Sequence, residues 1–194
     1  MPSSTPHIVS TPVDLDRHIE AMKIQLANIS WLDRVYGLAE PTPQLIGDNE
    51  TIIYPRVYDG TREFSTVTTD DELQAKSFFY IPSSINYNRI TNRFDCIIRL
   101  IVTVNVNVLN AALNSEYSIH SLVKDIKNLN MDGVGGLTPS SEENYRRMNF
   151  VAYYYSKVED VFSDFTFWQQ DTKYRTHPLN MFRMDFDMEF NGDC

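Results

Sequence analysis

"RLIVTVNVNVLN", residues 99 to 110, is the most regular stretch of the chain. Val102, Val104, Val106 and Val108 point one way while Thr103, Asn105 and Asn107 point the other, the period-two pattern of a strand with one buried and one polar face. The next stretch, "NSEYSIHSLVKDIKNLN" (114–130), changes period: Ile119, Leu122, Val123 and Ile126 share one side of a helix, with Asn114 or Ser115 as its cap. Just before the valines, "SSINYNRITNR" (83–93) is polar and reads as a loop or a projecting hairpin arm. Further upstream, "TIIYPRVY", "REFSTVTT" and "KSFFYIP" are short runs rich in Ile, Val, Tyr, Phe and Thr, with turn chemistry in "DGT" and "TDDELQA" between them. Pro55 inside the first run predicts an edge strand or a bulge there.

At the N-terminal end, "TPVDLDRHIEAMKIQLANISWLDRVYG" (11–37) predicts a helix with its own punctuation. Thr11 serves as N-cap, Pro12 sits in the first turn, Asp14 and Asp16 lie near the positive end, and Gly37 follows the end. Leu15, Ile19, Met22, Leu26 and Ile29 form one apolar stripe. The Pro-rich "EPTPQLIGDNE" (40–50) reads as a connector. At the other end, "RRMNFVAYYYSKVEDVFSDFTFWQQ" predicts strands near 147–156 and 161–169, and "MFRMDFDMEF" (181–190) a last one. The expected organisation is a flexible N-terminal arm over 1–12 and a single α+β domain over 13–194, with an antiparallel sheet flanked by two main helices.

With 194 residues, one domain with a full core is expected. A composition of 42% hydrophobic and 12% aromatic residues is too rich in large apolar side chains for a disordered chain. The formal net charge is −9, from 26 acids against 17 bases, which argues against gripping phosphate backbones by counterion release. The two cysteines, Cys96 in an apolar run and Cys194 at the end, make no disulfide framework and predict a reducing compartment. "MPSSTPHIVSTP" lacks the basic start and apolar core of a signal peptide, and "CIIRLIVTVNVNVL" is too short and polar for a bilayer span. The protein is therefore expected to be made in a cytoplasm and to stay off membranes.

The acids Asp185, Asp187 and Glu189 stand at alternate positions, in the manner of ligands for a metal. An EF-hand starting at Asp185 would need Gly at its sixth position, where Phe190 stands. On a strand these acids share one face at a spacing of about 6.5 to 7 Å, too wide to share one ion unaided. Phe182, Met184, Phe186, Met188 and Phe190 occupy the other face, so an amphipathic strand accounts for every residue. "GVGG" (133–136) lacks the Gly-Lys-Ser/Thr ending of a phosphate loop, being followed by Leu137-Thr138-Pro139. His7, His18, His120 and His177 are scattered singly, without zinc spacing. No Gly-x-Ser-x-Gly elbow occurs. The aromatics of "YYYSKVEDVFSDFTFW" are accompanied by Glu159, Asp160 and Asp164 against Lys157, so they suit packing better than base stacking. No catalytic, cofactor-binding or metal residue is assigned.

"NMDGVGGLTPSSEENYRR" is a long stretch without periodicity, and compact domains seldom keep such loops without a use. Gly133, Gly135 and Gly136 mark it as a candidate inter-subunit loop, beside the N-terminal arm and the 83–93 stretch.

The order of elements, with "IIYPRVYDGTREFSTVTTDDELQAKSFFYI", the Val-rich strand, "VEDVFSDFTF" and "HPLNMFRMDFDMEF", resembles the tail-terminator and head–tail connector ring proteins of tailed bacteriophages. Over residues 13 to 190 it is similar to ring proteins in the tail barrel of crAss-like phages. The resemblance implies a non-enzymatic virion protein in a closed homo-oligomeric ring, a hexamer or dodecamer, stacked on neighbouring ring, portal or tail proteins. DNA would pass through the ring without specific binding, and an acidic lumen would let it slide. Arg183, Asp185, Asp187 and Glu189 are then the candidate channel or subunit-interface surface. The rival expectations are a small soluble adaptor that binds another protein and, third, a phage nucleic-acid-processing enzyme.

Overall fold

A computed structural model describes residues 14–46, 50–58, 64–66, 73–113, 118–129, 146–155, 157–166 and 179–192. The N-terminal arm, the loop carrying Gly133, Gly135 and Gly136, His7, His177 and Cys194 lie outside the described residues. The elements are helix α1 (Asp14–Leu26), strands β1 (Arg34–Ile46), β2 (Glu50–Tyr58), β3 (Phe64–Thr66), β4 (Ala75–Tyr80), β5 (Asn86–Asn88) and β6 (Arg93–Asn105), helices α2 (Val106–Leu113) and α3 (Ile119–Lys127), strand β7 (Arg146–Tyr155), the short helix α4 (Val158–Val161) and strand β8 (Leu179–Phe190). The fold is α+β, and its sheet runs β3-β2-β1-β4-β6-β8-β7 with β5 attached to β6. The pairings are antiparallel except for β1 with β4.

Two long amphipathic strands make the centre. β6 and β8 pair along twelve positions, from Phe94↔Phe190 to Asn105↔Leu179. Their even-numbered residues, Cys96, Ile98, Leu100, Val102 and Val104 with Phe182, Met184, Phe186, Met188 and Phe190, form one buried face. Ile19, Met22 and Leu26 of α1 and Leu122, Val123 and Ile126 of α3 cover it, as the stripes on both helices predict. Each such side chain contributes about 1.5–3 kcal/mol on burial. A second, smaller core lies on the other face. There Ile101, Met181, Phe78 and Tyr80 meet Val161, Phe162 and Phe165.

Five boundaries differ from the expectation, each for a local reason. The valine strand stops at Asn105, and Val106–Leu113 is helical. The Asn105 side chain accepts from the Val108 amide at 3.3 Å, an N-cap that ends the strand and starts the helix. The first helix ends at Leu26 rather than near Gly37, because Asn28, Ile29 and Ser30 are poor helix formers. The Asn28 side chain donates to the Ile24 carbonyl there. Residues read as helix end and connector form β1, in which Pro41 and Pro43 are accommodated because pairing with β4 ends at Leu38. The segment read as a strand over 161–169 is α4 and a turn as far as Thr166, since Val161, Phe162 and Phe165 share one side at helical spacing. The cap of α3 is Ser118, which accepts from the Ser121 amide at 3.2 Å, in place of Asn114 or Ser115. Pro55 of β2 lies just outside the pairing with β3, which covers Arg56 to Tyr58, as its missing amide hydrogen requires.

Candidate interaction surfaces

From Arg183 to Glu189 the odd-numbered residues of β8 form the predicted charged stripe, and its two ends meet different surroundings. Arg183 and Asp185 are buried, 5% and 8% exposed, beneath α4 and the turn that follows it. Arg183 donates through Nη1 to the Asp160 carbonyl at 2.5 Å and to Ser163 Oγ at 2.9 Å, and its Nε lies 2.8 Å from Asp185 Oδ1. Its guanidinium stands 4.1 Å from the Tyr154 ring centre. Arg99, directly across the strands from Asp185, approaches Asp185 at 3.8 Å and pairs with Asp164. Two arginines and two aspartates thus close a charge-balanced network that fastens the Val158–Phe165 segment to the sheet. Tyr80 is packed at its edge, and burial, then the Asp164 charge, pushes its hydroxyl pKa up.

Asp187 and Glu189 lie beyond this cover. Asp187 is exposed, Glu189 is half-buried, and Asp95 stands across β6 from Glu189. Arg93 Nη1 reaches Glu189 Oε1 at 2.6 Å, and Arg147 of β7 pairs in register with Glu189. A groove of about 380 Å³ runs over this end, lined by Ser83, Asn86, Asp95, Ile97, Asn149, Asp187 and Glu189. Among the described residues, no group of three or more His, Cys, Asp or Glu side chains could hold a metal ion.

The 83–93 stretch, expected to be a loop or a projecting hairpin arm, forms a hairpin. β5 pairs with the start of β6, Asn86↔Asp95 to Asn88↔Arg93, and the turn between them carries Arg89 and Ile90. Asn88 Oδ1 accepts from the amides of Ile90 at 3.0 Å and Thr91 at 3.3 Å. Asn92 takes a positive φ of 56°, which Asn tolerates better than most residues, and its side chain meets the Tyr87 hydroxyl. Ile90 is 96% exposed at the tip, above the exposed Ile85 and Tyr87. A third surface lies at β7, last in the strand order, where Val151, Tyr154 and Tyr155 are exposed. Tyr153 hydrogen-bonds His120 Nδ1 at 2.7 Å beside it.

On the helical face His18 is buried, its Nε2 donating to the Asn191 carbonyl at 3.0 Å. Arg146 donates to the His18 carbonyl at 3.1 Å, and Phe190 meets the imidazole edge-on. Burial first, and the nearby Arg146 and Arg17 charges, lower the His18 pKa to about 4, so the ring is neutral at ordinary pH. The Cys96 thiol, on the same face, is pushed up to about 11 by burial and the Asp95 charge, and is held unreactive as a thiol.

Of the predicted stripe, then, Arg183 and Asp185 belong to an internal anchor, while Asp187 and Glu189 remain at the surface. Sequence reading missed Arg99 and Asp164 as the anchor's other half, and Asp95 and Ile97 as neighbours of the open end. Asp95, Ile97 and Arg99 do alternate on β6, but only the register with β8 joins them to the acids. Comparison with family models, with curated proteins and with solved structures finds no match to this chain. Among the described residues no helix is long and apolar enough to cross a membrane.

Proposed function

We propose that the chain is a structural virion subunit that assembles side by side into a closed ring at the head–tail junction or in the tail of a bacteriophage. The observation that carries this reading is the stiffened hairpin presenting Ile90 to solvent, with Ile85 and Tyr87 below it. A turn fixed by its own hydrogen bonds holds an apolar tip outward at little ordering cost when a neighbour covers it. The hairpin and the acid-lined groove are unlike surfaces, so a contact that joins one to the other repeats head to tail, as a ring requires. The order of elements read from the sequence, with its resemblance to tail-terminator and connector ring proteins, supports the phage setting. A net charge of −9 suits a channel that DNA traverses without sticking.

The test is the particle itself. The chain should be a stoichiometric component of purified virions, and the isolated protein should show rings by negative stain, alone or with its neighbouring tail proteins. A monomer at every concentration, absent from all particles, would leave the adaptor reading in its place.

A further inference from the structure

We infer that the groove over the open end of β8 receives the hairpin tip of a second copy of this chain, with Arg89 set against Asp187 and Ile90 against Ile97. The inference rests on the ring reading in needing self-association, and it names the contact.

The tip is cationic and apolar on an acidic protein. From Ile81 to Phe94 the chain holds Arg89 and Arg93 and no acid. Arg93 is engaged with Glu189 in its own copy, whereas neither Arg89 nor Asp187 has an ion-pair partner among the described residues. The groove is complementary in both respects. Asp95, Asp187 and Glu189 give it negative potential, Arg93 offsets part of that, and the half-open Ile97 supplies an apolar floor between Asp95 and Arg99 on β6. A guanidinium placed beside an open carboxylate while two isoleucines leave water combines steering with burial. The hairpin cannot fold back into its own groove, because the pairing of β5 with Arg93–Asp95 holds it as one wall of that groove. Another copy must supply the tip.

The experiment is a charge exchange in the full chain, read by sedimentation velocity over a concentration series. Arg89→Glu and Asp187→Arg should each weaken self-association about tenfold or more, and the double variant should recover most of the loss. Ile90→Ser should weaken it without rescue by either charge change. All three positions are exposed, so an unchanged thermal melt shows that the fold is intact. Wild-type self-association that survives both single charge changes overturns this contact and leaves the ring reading standing. Loss in Arg89→Glu without recovery in the double variant overturns the pairing with Asp187. A wild-type chain that stays monomeric at every concentration, both alone and with its neighbouring tail proteins, overturns both readings.

Discussion

At the start of β8, Arg183 and Asp185 lie under α4 and are tied to Arg99, Asp164, Ser163 and a backbone carbonyl. At its end, Asp187 and Glu189 stand on the same face of the same strand with a groove above them. The alternation of charge is continuous through both ends. What differs is the cover, a segment that comes from some twenty residues earlier in the chain. Covered, a charged stripe is an internal fastening, costly to break because each charge was taken out of water on the condition that it be paired. Open, the same residue types cost little to hold and remain available to a neighbour.

The sharpest way to break this contrast is to remove one carboxylate from each end. Asp185→Ala leaves Arg183 facing the buried network without its partner and should cost about 3–5 kcal/mol in urea unfolding. Asp187→Ala should stay within about 0.5 kcal/mol. Equal losses would show that the cover over β8 does not separate the two ends. Acid comes next in size. The pKa of His18 is lowered to about 4 in the fold, against about 6.5 when unfolded, so the folded state binds fewer protons through this range. Its contribution is complete above pH 6.5, declines as the pH falls towards 4 and is then exhausted, for a total of up to about 3 kcal/mol. Because burial and the Arg146 charge disfavour a protonated His18 packed against Phe190, hydrogen exchange near Phe190 should accelerate over this window before the Arg183 end responds. His18→Gln should flatten that part of the pH profile. Glu189→Gln comes after it in size: it removes a half-exposed ion pair with Arg93 and should cost less than about 1 kcal/mol, with the difference fading at high salt.

The central strands were legible because alternation over ten residues admits one reading: "MFRMDFDMEF" is a strand with Phe182, Met184, Phe186, Met188 and Phe190 on one buried face, and it is found so, while Met181 joins the smaller core on the other face. Alternation was a poorer guide at the edge of an element. Val106 and Val108 continue the pattern of Val102 and Val104, yet Asn105 caps a helix, and an N-cap outweighs two further β-branched residues. Pro41 and Pro43 hid β1, since a proline counts against a strand until one knows which edge needs its amide. The site was legible by half. That the four charged residues of β8 share a face follows from the period of a strand. Which of them see water does not, because Arg99, Asp164 and the α4 cover arrive through pairing and packing across distant parts of the chain.

The hairpin and the N-cap at Asn105 sit at opposite ends of one uninterrupted strand. β6 runs from Arg93 to Asn105, about 40 Å at the usual rise per residue, paired on one side with β5 and β4 and on the other with β8. Whatever grips the tip at Ile90 therefore pulls on a stiff central rod rather than a tether. A load placed there passes through the middle of the sheet to the first turn of α2, so two remote ends of the fold share one mechanical axis.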